Sequence, residues 1–222
     1  MPAFIIATSI LGTISLLLSR VSHRLAFQCG TVWGWCMCRV NWTPVKVVGR
    51  EKARKNQAYV IMTNHQSQFD ILAFYGHWGR QFRWVMKQEL RKVPFIGWST
   101  AALNNIFIDR SNRESAIASL KAAQPLFDQG ISVLIFPEGT RSIDGKLREF
   151  KKGGFMLALD TGLPILPISI SGTHRILPGK TLKLLPGRVR ITVHDPIPTA
   201  GLGPADRDEL MARVRSAIES GL

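Results

Sequence analysis

From Thr43 onward, short apolar runs alternate with stretches of helical spacing, and this alternation limits the possible folds more than any other feature. Val45–Val48, Ala58–Met62, Phe82–Met86, Asn105–Arg110 and Ser132–Phe136 are short and rich in β-branched and aromatic side chains, as buried strands are. Between them, Phe69–Trp78, Pro94–Leu103, Glu114–Phe127 and Gly153–Asp160 carry helical spacing, with Pro94 in a first turn and Gly162 as a stop. Such alternation predicts a layered α/β domain whose ligands bind where strands end. Leu163–Ile170 is extended but contains Pro164 and Pro167, which argues for an edge or irregular strand. Leu182–Leu185 and Val189–Val193 flank Pro186-Gly187 as a hairpin would, and Pro204–Ile218 closes the chain as an amphipathic helix.

The chain before Thr43 is of another kind. Residues 2–19 carry no charge, and as a helix they would be roughly 27 Å long, just short of a ~30 Å hydrocarbon core. They lack the basic leader and small-residue cleavage site of a secretory signal. Arg20, Arg24, Arg39 and Lys46 follow, so if the segment spans, the positive-inside bias leaves the remainder in the cytoplasm. A second uncharged run, Leu25–Cys38, is too short to cross and is accompanied by Trp33, Trp35 and Trp42, residues that settle at headgroup level. We expect residues 1–43 to form a helical hairpin embedded in or lying on a membrane, and residues 44–222 to form the globular domain. The alternative is a pair of buried helices in a soluble fold.

Lysine and arginine total 29 against 15 acidic residues, a net charge of +14. An excess of this size calls for an anionic partner: nucleic acid, lipid headgroups or a phosphorylated substrate. The cations are spread along the chain without a helix-turn-helix, zinc-finger or RNP pattern, which argues against nucleic acid. Cys29, Cys36 and Cys38 are odd in number and lack CxxC or histidine spacing, so neither a disulfide framework nor a structural metal is expected, and a reducing compartment is. Gly97-Trp98-Ser99-Thr100-Ala101 lacks the last glycine of a serine-hydrolase elbow. Gly179-Lys180-Thr181 lacks the first glycine of a P-loop, whose position is held by His174.

Chemistry concentrates in Thr63–Asp70. His65 and Asp70 are separated by about 500° of helical turn, so they cannot share a helical face. They meet only if His65 lies in the loop and Asp70 in the first helical turn, as a general base and its carboxylate would. Ser67-Gln68-Phe69-Asp70 also fits a capping box, and from the residues alone both readings stand. Four stretches share the design of an apolar strand with reactive residues: Asn64-His65 to Asp70, Ile108-Asp109-Arg110, Phe136 to Arg141, and Ile165-Leu166-Pro167. Strand ends of an open α/β sheet share one rim, so one pocket can receive all four. Arg110 and Arg141 have forks suited to a phosphate, and Lys87 adds a point charge. A metal site at His65 and Asp70 lacks a third ligand.

Asn64-His65-Gln66-Ser67-Gln68-Phe69-Asp70 resembles the NHxxxxD motif of the glycerolipid acyltransferases of the 1-acylglycerol-3-phosphate acyltransferase (PlsC) family. The family's IDR, FPEGTRS and later proline-bearing motifs are matched in order by Ile108–Arg110, Phe136–Ser142 and Leu163–Ile170. Asp144-Gly145-Lys146 and Phe150-Lys151-Lys152-Gly153 resemble its continuation after the third motif. The resemblance covers residues 45–175 and implies a mixed sheet with flanking helices, the glycerolipid acyltransferase fold, at the cytoplasmic face of a membrane. It implies acyl transfer from acyl-CoA or acyl-ACP, as co-substrate without a cofactor, to a hydroxyl of a phosphorylated glycerol lipid: lysophosphatidic acid by default, with another lysophospholipid or glycerol 3-phosphate as the alternative. In that scheme His65 is the general base and Asp70 orients it. Lys87, Arg110, Glu138, Gly139, Thr140 and Arg141 form the acceptor site, with Thr140 and Ser142 as hydrogen-bond donors. A different class, a non-catalytic membrane-surface protein, is the rival reading.

Overall fold

The computed structural model describes residues 2–109, 118–119, 122–142, 144–179, 181 and 183–222. Its strands are β1 (Val45–Val48), β2 (Val60–Thr63), β3 (Phe82–Lys87), β4 (Ile106–Ile108), β5 (Ser132–Ile135), β6 (Ile165–Ser171) and β7 (Val189–Val193). Among the described residues they form one sheet in the order β1-β7-β6-β2-β5-β3-β4. From β6 to β4 every neighbour is parallel, whereas β7 runs antiparallel to β6 and parallel to β1. The sheet is mixed, and the C-terminal ends of β6, β2, β5, β3 and β4 open onto one rim.

The helices are α1 (Pro2–Leu18), α2 (His23–Val40), α3 (Phe69–His77), α4 (Ile96–Ala102), α5 (Gln124–Asp128), α6 (Gly153–Thr161), α7 (Thr173–Ile176) and α8 (Arg207–Glu219). Alternation along each strand distributes its side chains between two faces. Ile61, Leu134, Leu166 and Ile168 pack with Ala26 and Phe27 of α2 and Phe69 and Phe74 of α3. Val60, Met62, Val133 and Ile165 pack on the opposite side with Phe155 of α6 and Leu210 and Val214 of α8. Helices therefore cover both faces of the sheet.

Residues 2–40 form the expected pair of helices. Trp33 Nε1 donates to Thr8 Oγ1 at 3.0 Å and Ser15 Oγ donates to the Ala26 carbonyl at 3.0 Å, tying α1 to α2. Next, α2 crosses α3 almost backbone to backbone. A Cβ at Gly34 would lie 2.5 Å from the Leu72 carbonyl oxygen, and one at Gly76 would lie 2.4 Å from the Trp35 nitrogen. Only glycine permits that approach. The outer side of α1 stays apolar and exposed at Ile6, Ile10, Ile14 and Leu17. Among the described residues, no helix is long and apolar enough to cross a membrane.

Three expectations change. β6 is not an edge strand but lies between β7 and β2. Pro167 is tolerated there because the regular β6–β7 ladder ends at Ile168–Val193: the Pro167 carbonyl still accepts His194 N–H, pairing resumes only at the Ile165–Ile197 bridge, and the missing donor falls at this irregularity. Ile165-Leu166-Pro167 aligns with Val60-Ile61-Met62 at the start of β2, so it sits away from the rim, and the rim end of β6 is Ile170-Ser171. The hairpin over Leu182–Val193 does not form among the described residues. Leu185 N–H goes to the Ile176 carbonyl at 2.8 Å, and β7 pairs with β1 and β6 instead. Of the expected Glu114–Phe127 helix, residues 114–117 and 120–121 lie outside the described residues; 118–119 are helical and α5 begins at Gln124.

Candidate active site

Thr63 ends β2 at the rim, and the chain turns through Asn64–Gln68 into α3. Asn64 sets the direction of that turn. Its side-chain amide donates to the Ile170 carbonyl at 2.8 Å and its side-chain oxygen accepts Ile170 N–H at 2.7 Å. The carboxamide thus continues the β2–β6 ladder one step after the backbone has left it, which satisfies two buried backbone groups of β6.

His65 follows, and Asp70 in the first turn of α3 reaches back to it. His65 Nδ1 lies 2.7 Å from Asp70 Oδ2, with the histidine side chain 15% exposed and the aspartate fully buried. The same oxygen accepts the N–H groups of Gln66 at 2.7 Å and Ser67 at 2.8 Å. Ser67 Oγ in turn accepts Phe69 N–H at 3.2 Å. The His–Asp pair and the capped turn coexist: the carboxylate that closes the turn also holds the imidazole. With Nδ1–H donated to Asp70, Nε2 keeps its lone pair, as a general base requires. The ring is also fixed face-on, stacked on Phe136 at 3.8 Å and 14°, while Phe136 stacks on Trp84 at 5.7 Å.

β5 delivers Phe136–Ser142 beside this loop, since β2 and β5 are parallel neighbours with Met62 opposite Ile135. Glu138 is 2% exposed, and both its oxygens are engaged by main chain: Oε1 accepts His65 N–H at 2.6 Å and Oε2 accepts Arg148 N–H at 2.9 Å. Burial pushes its carboxyl upward, and those two N–H groups pull it back. Glu138 thus spends both oxygens on main chain and fixes the backbone around His65. Ser142 N–H donates to the His65 carbonyl at 2.7 Å, so the main chain of His65 is held from both ends. Gly139 makes the turn at φ 69°, a conformation suited to glycine. Thr140 is exposed and Arg141 half-buried at the same turn.

The remaining candidates divide. Lys87 ends β3 at the rim but is exposed and ion-paired with Glu89 at 2.7 Å, so its charge is already partnered. Ile108 ends β4 opposite Lys87, which brings Asp109 to the rim, and Arg110 lies outside the described residues. Two residues that spacing did not single out also join the site. Gln66 is buried, donates from Nε2 to the Gly145 carbonyl at 3.1 Å, and bonds through Oε1 to His174 Nδ1 at 3.1 Å. Among the described residues no cluster of histidine, cysteine and carboxylate side chains could hold a metal ion.

Residues 44–171 match the family model described as Acyltransferase. The chain belongs to the acyltransferase family. It is 35% identical over 189 residues to a 1-acyl-sn-glycerol-3-phosphate acyltransferase of Chlamydomonas reinhardtii, an alignment spanning 84% of this chain and 55% of that protein. It is 35% identical over 175 residues to the 1-acyl-sn-glycerol-3-phosphate acyltransferase alpha of Bos taurus, spanning 78% of this chain and 61% of that one. Alignments with these two curated relatives thus span 55–61% of their length. The crystal structure of the 1-acyl-sn-glycerophosphate (LPA) acyltransferase PlsC from Thermotoga maritima superimposes with a TM-score of 0.82 at 30% identity, covering 96% of this chain and 88% of that one. The matched segment contains His65, Asp70 and the Phe136–Ser142 turn.

Proposed function

We infer that the chain transfers a fatty acyl group from a thioester, acyl-CoA or acyl-ACP, to the sn-2 hydroxyl of 1-acylglycerol 3-phosphate, giving phosphatidic acid. The observation that carries this reading is the Asp70–His65 pair, with Nε2 unbonded among the described residues, at a strand-end rim beside the Phe136–Ser142 turn. His65 Nε2 takes the proton of the acceptor hydroxyl as its oxygen attacks the thioester carbonyl. The C–S bond then breaks, and the proton held at Nε2 goes to the leaving thiolate. Asp70 keeps the ring oriented and stabilises its charged form, and no acyl-enzyme is needed because the thioester is already activated. Arg141 is suited to grip the acceptor phosphate through its planar fork.

The hairpin supports action at a bilayer surface. Ile6, Ile10, Ile14 and Leu17 are all at least 40% exposed, and on a helix they fall within an arc of about 80°. Such a stripe suits the boundary between headgroups and acyl chains. Because Ala26, Phe27 and Cys38 belong to the main core, removing residues 2–42 would strip the domain rather than simply release it. Replacing Ile10 and Ile14 by glutamate is the cleaner test, and a variant that still sediments with vesicles contradicts the contact.

The activity itself is tested by labelled acyl-CoA and acyl-ACP against a panel of lysolipids. The full chain should acylate lysophosphatidic acid, and His65→Ala should lose about 10²–10⁴-fold in turnover with its fold intact. Wild-type levels of transfer by that variant would remove His65 as the base.

A further inference from the structure

The segment after the Phe136–Ser142 turn crosses the rim as a strap. It is pinned at successive points to the His65 loop and to that turn: Gly145 by Gln66 at 3.1 Å, Arg148 by Glu138 at 2.9 Å, and Lys151 N–H to the Pro137 carbonyl at 2.7 Å. Phe150 then enters the core shared by α6 and α8. The Arg215 guanidinium of α8 donates to the carbonyls of Arg148 at 2.9 Å and Leu147 at 3.1 Å. The strap is thus a fixed bridge leading from the base to the face of the sheet opposite the α1–α2 hairpin.

Its side chains have the opposite character to its anchored backbone. Lys146, Arg148, Lys151 and Lys152 are exposed, and none has an ion-pair partner among the described residues. Within these seven residues the four cations face a single carboxylate, that of the exposed Glu149, so the strap keeps a positive excess that favours a bound anion. The Lys151 stem also lies beside Gly139, 3.5 Å from where a Cβ would stand, so this charge adjoins the turn that carries Arg141.

We propose that the strap Lys146–Lys152 binds the phosphates of the nucleotide carrier of the acyl donor, a coenzyme-A-type adenosine 3′,5′-bisphosphate. This rests on the acyl-transfer reading above. The location fits a water-soluble donor: the hairpin's apolar stripe lies on one face of the sheet, and the strap leads to the other. A compact phosphorylated nucleotide matches a site of seven residues, whereas a carrier protein needs an interface of roughly 1,000 Å² or more. Arg141 remains for the acceptor phosphate, so the two anionic substrates meet from opposite sides of His65.

The test compares wild type with the Lys151→Ala/Lys152→Ala double variant in neutral detergent micelles. The donors are acyl-CoA and the same acyl group on pantetheine, which lacks the nucleotide. The variant should raise KM for acyl-CoA about tenfold, equivalent to ~1.4 kcal/mol, while KM for acyl-pantetheine and kcat with either donor move far less. Lys55→Ala, before the start of β2 and away from the rim, should change neither KM. Adenosine 3′,5′-bisphosphate titrated calorimetrically should bind wild type and lose affinity for the double variant, and this arm reads the strap even if no lysolipid is acylated. Equal losses with both donors, an unchanged KM for acyl-CoA, transfer from acyl-ACP alone, or a defect seen only in binding to anionic vesicles would each overturn the assignment.

Discussion

The Glu138 carboxylate holds the main-chain N–H of His65 at 2.6 Å and that of Arg148 at 2.9 Å. One buried side chain therefore ties the His65 loop to the strap that crosses it. Replacing it with alanine leaves two partly buried donors unpaired, at no more than about 1–3 kcal/mol each. Glu138→Ala should lower the melting temperature by several degrees and reduce kcat more than it raises KM for the acceptor. Glu138→Gln can accept from only one of the two N–H groups and should be intermediate in both. A variant whose only change is a higher acceptor KM would return Glu138 to direct substrate contact.

Asp70→Asn separates orientation from capping. The side-chain oxygen of asparagine can still accept from Gln66 and Ser67, so the turn keeps its cap, but the imidazolium formed in the reaction loses its counter-charge. Turnover should fall by about 10²-fold or more with melting temperature and acceptor KM nearly unchanged. Collapse of thermal stability with normal turnover in the surviving protein would assign Asp70 to capping alone.

Phe136 is the face on which the His65 ring lies, at 3.8 Å between centroids. Phe136→Leu keeps apolar volume but removes the flat platform, freeing the ring to rotate. The expected result is a fall in kcat of about tenfold, the rate equivalent of ~1.4 kcal/mol of lost positioning. Steady-state kinetics at saturating donor will decide it, and an unchanged kcat would mean that Asp70 alone fixes the ring.

Gly34 and Gly76 form the crossing between hairpin and domain. Because a Cβ at either would lie 2.5 Å or less from backbone of the other helix, Gly34→Ala or Gly76→Ala should force α2 off α3. A cost of about 1–3 kcal/mol, typical of overpacking, is expected for each. Thermal melts measure it, and wild-type stability in either variant would show that the two helices can part freely.

Burial lowers the proton affinity of His77, His174 and His194, in each case as the main cause. A histidine depressed in the folded state binds fewer protons there than in the unfolded chain, so stability falls as pH drops through about 6.5 toward the lower folded value. Melting temperature should therefore decline between pH 7.5 and 5.5, above the range where carboxylates titrate. His194→Gln should flatten that decline. His194 is the informative position because its Nε2 lies 2.7 Å from Ser169 Oγ, which donates to the Ile218 carbonyl at the end of α8. A wild-type melting temperature flat over this interval would contradict the shifts.

Local chemistry carried much of this protein in plain view. The alternation of Val45–Val48, Phe82–Met86 and Ser132–Phe136 with helical stretches reports an α/β sheet because strand and helix periods differ within a few residues. Placing His65 and Asp70 on either side of a helix start likewise needs no information beyond that turn. The Leu182–Leu185 hairpin and the edge assignment of β6 failed for one shared reason: pairing partners are chosen across the whole chain. Val189–Val193 found a better surface on β1 and β6 than on its neighbour, and Pro167 was spared because the regular β6–β7 ladder ends beside it.

What residue order determined by itself was that His65 and Asp70 flank a helix start, and where the basic and apolar segments around them lie. Only the tertiary structure decided that Glu138 faces inward, that Lys87 is partnered by Glu89, and that Phe136 lies under the imidazole. It also decided that Asn64 completes β6 from 106 residues away. The physical reason is that a side chain's identity limits what it can bond, whereas burial and the partner within reach decide which of those bonds it makes.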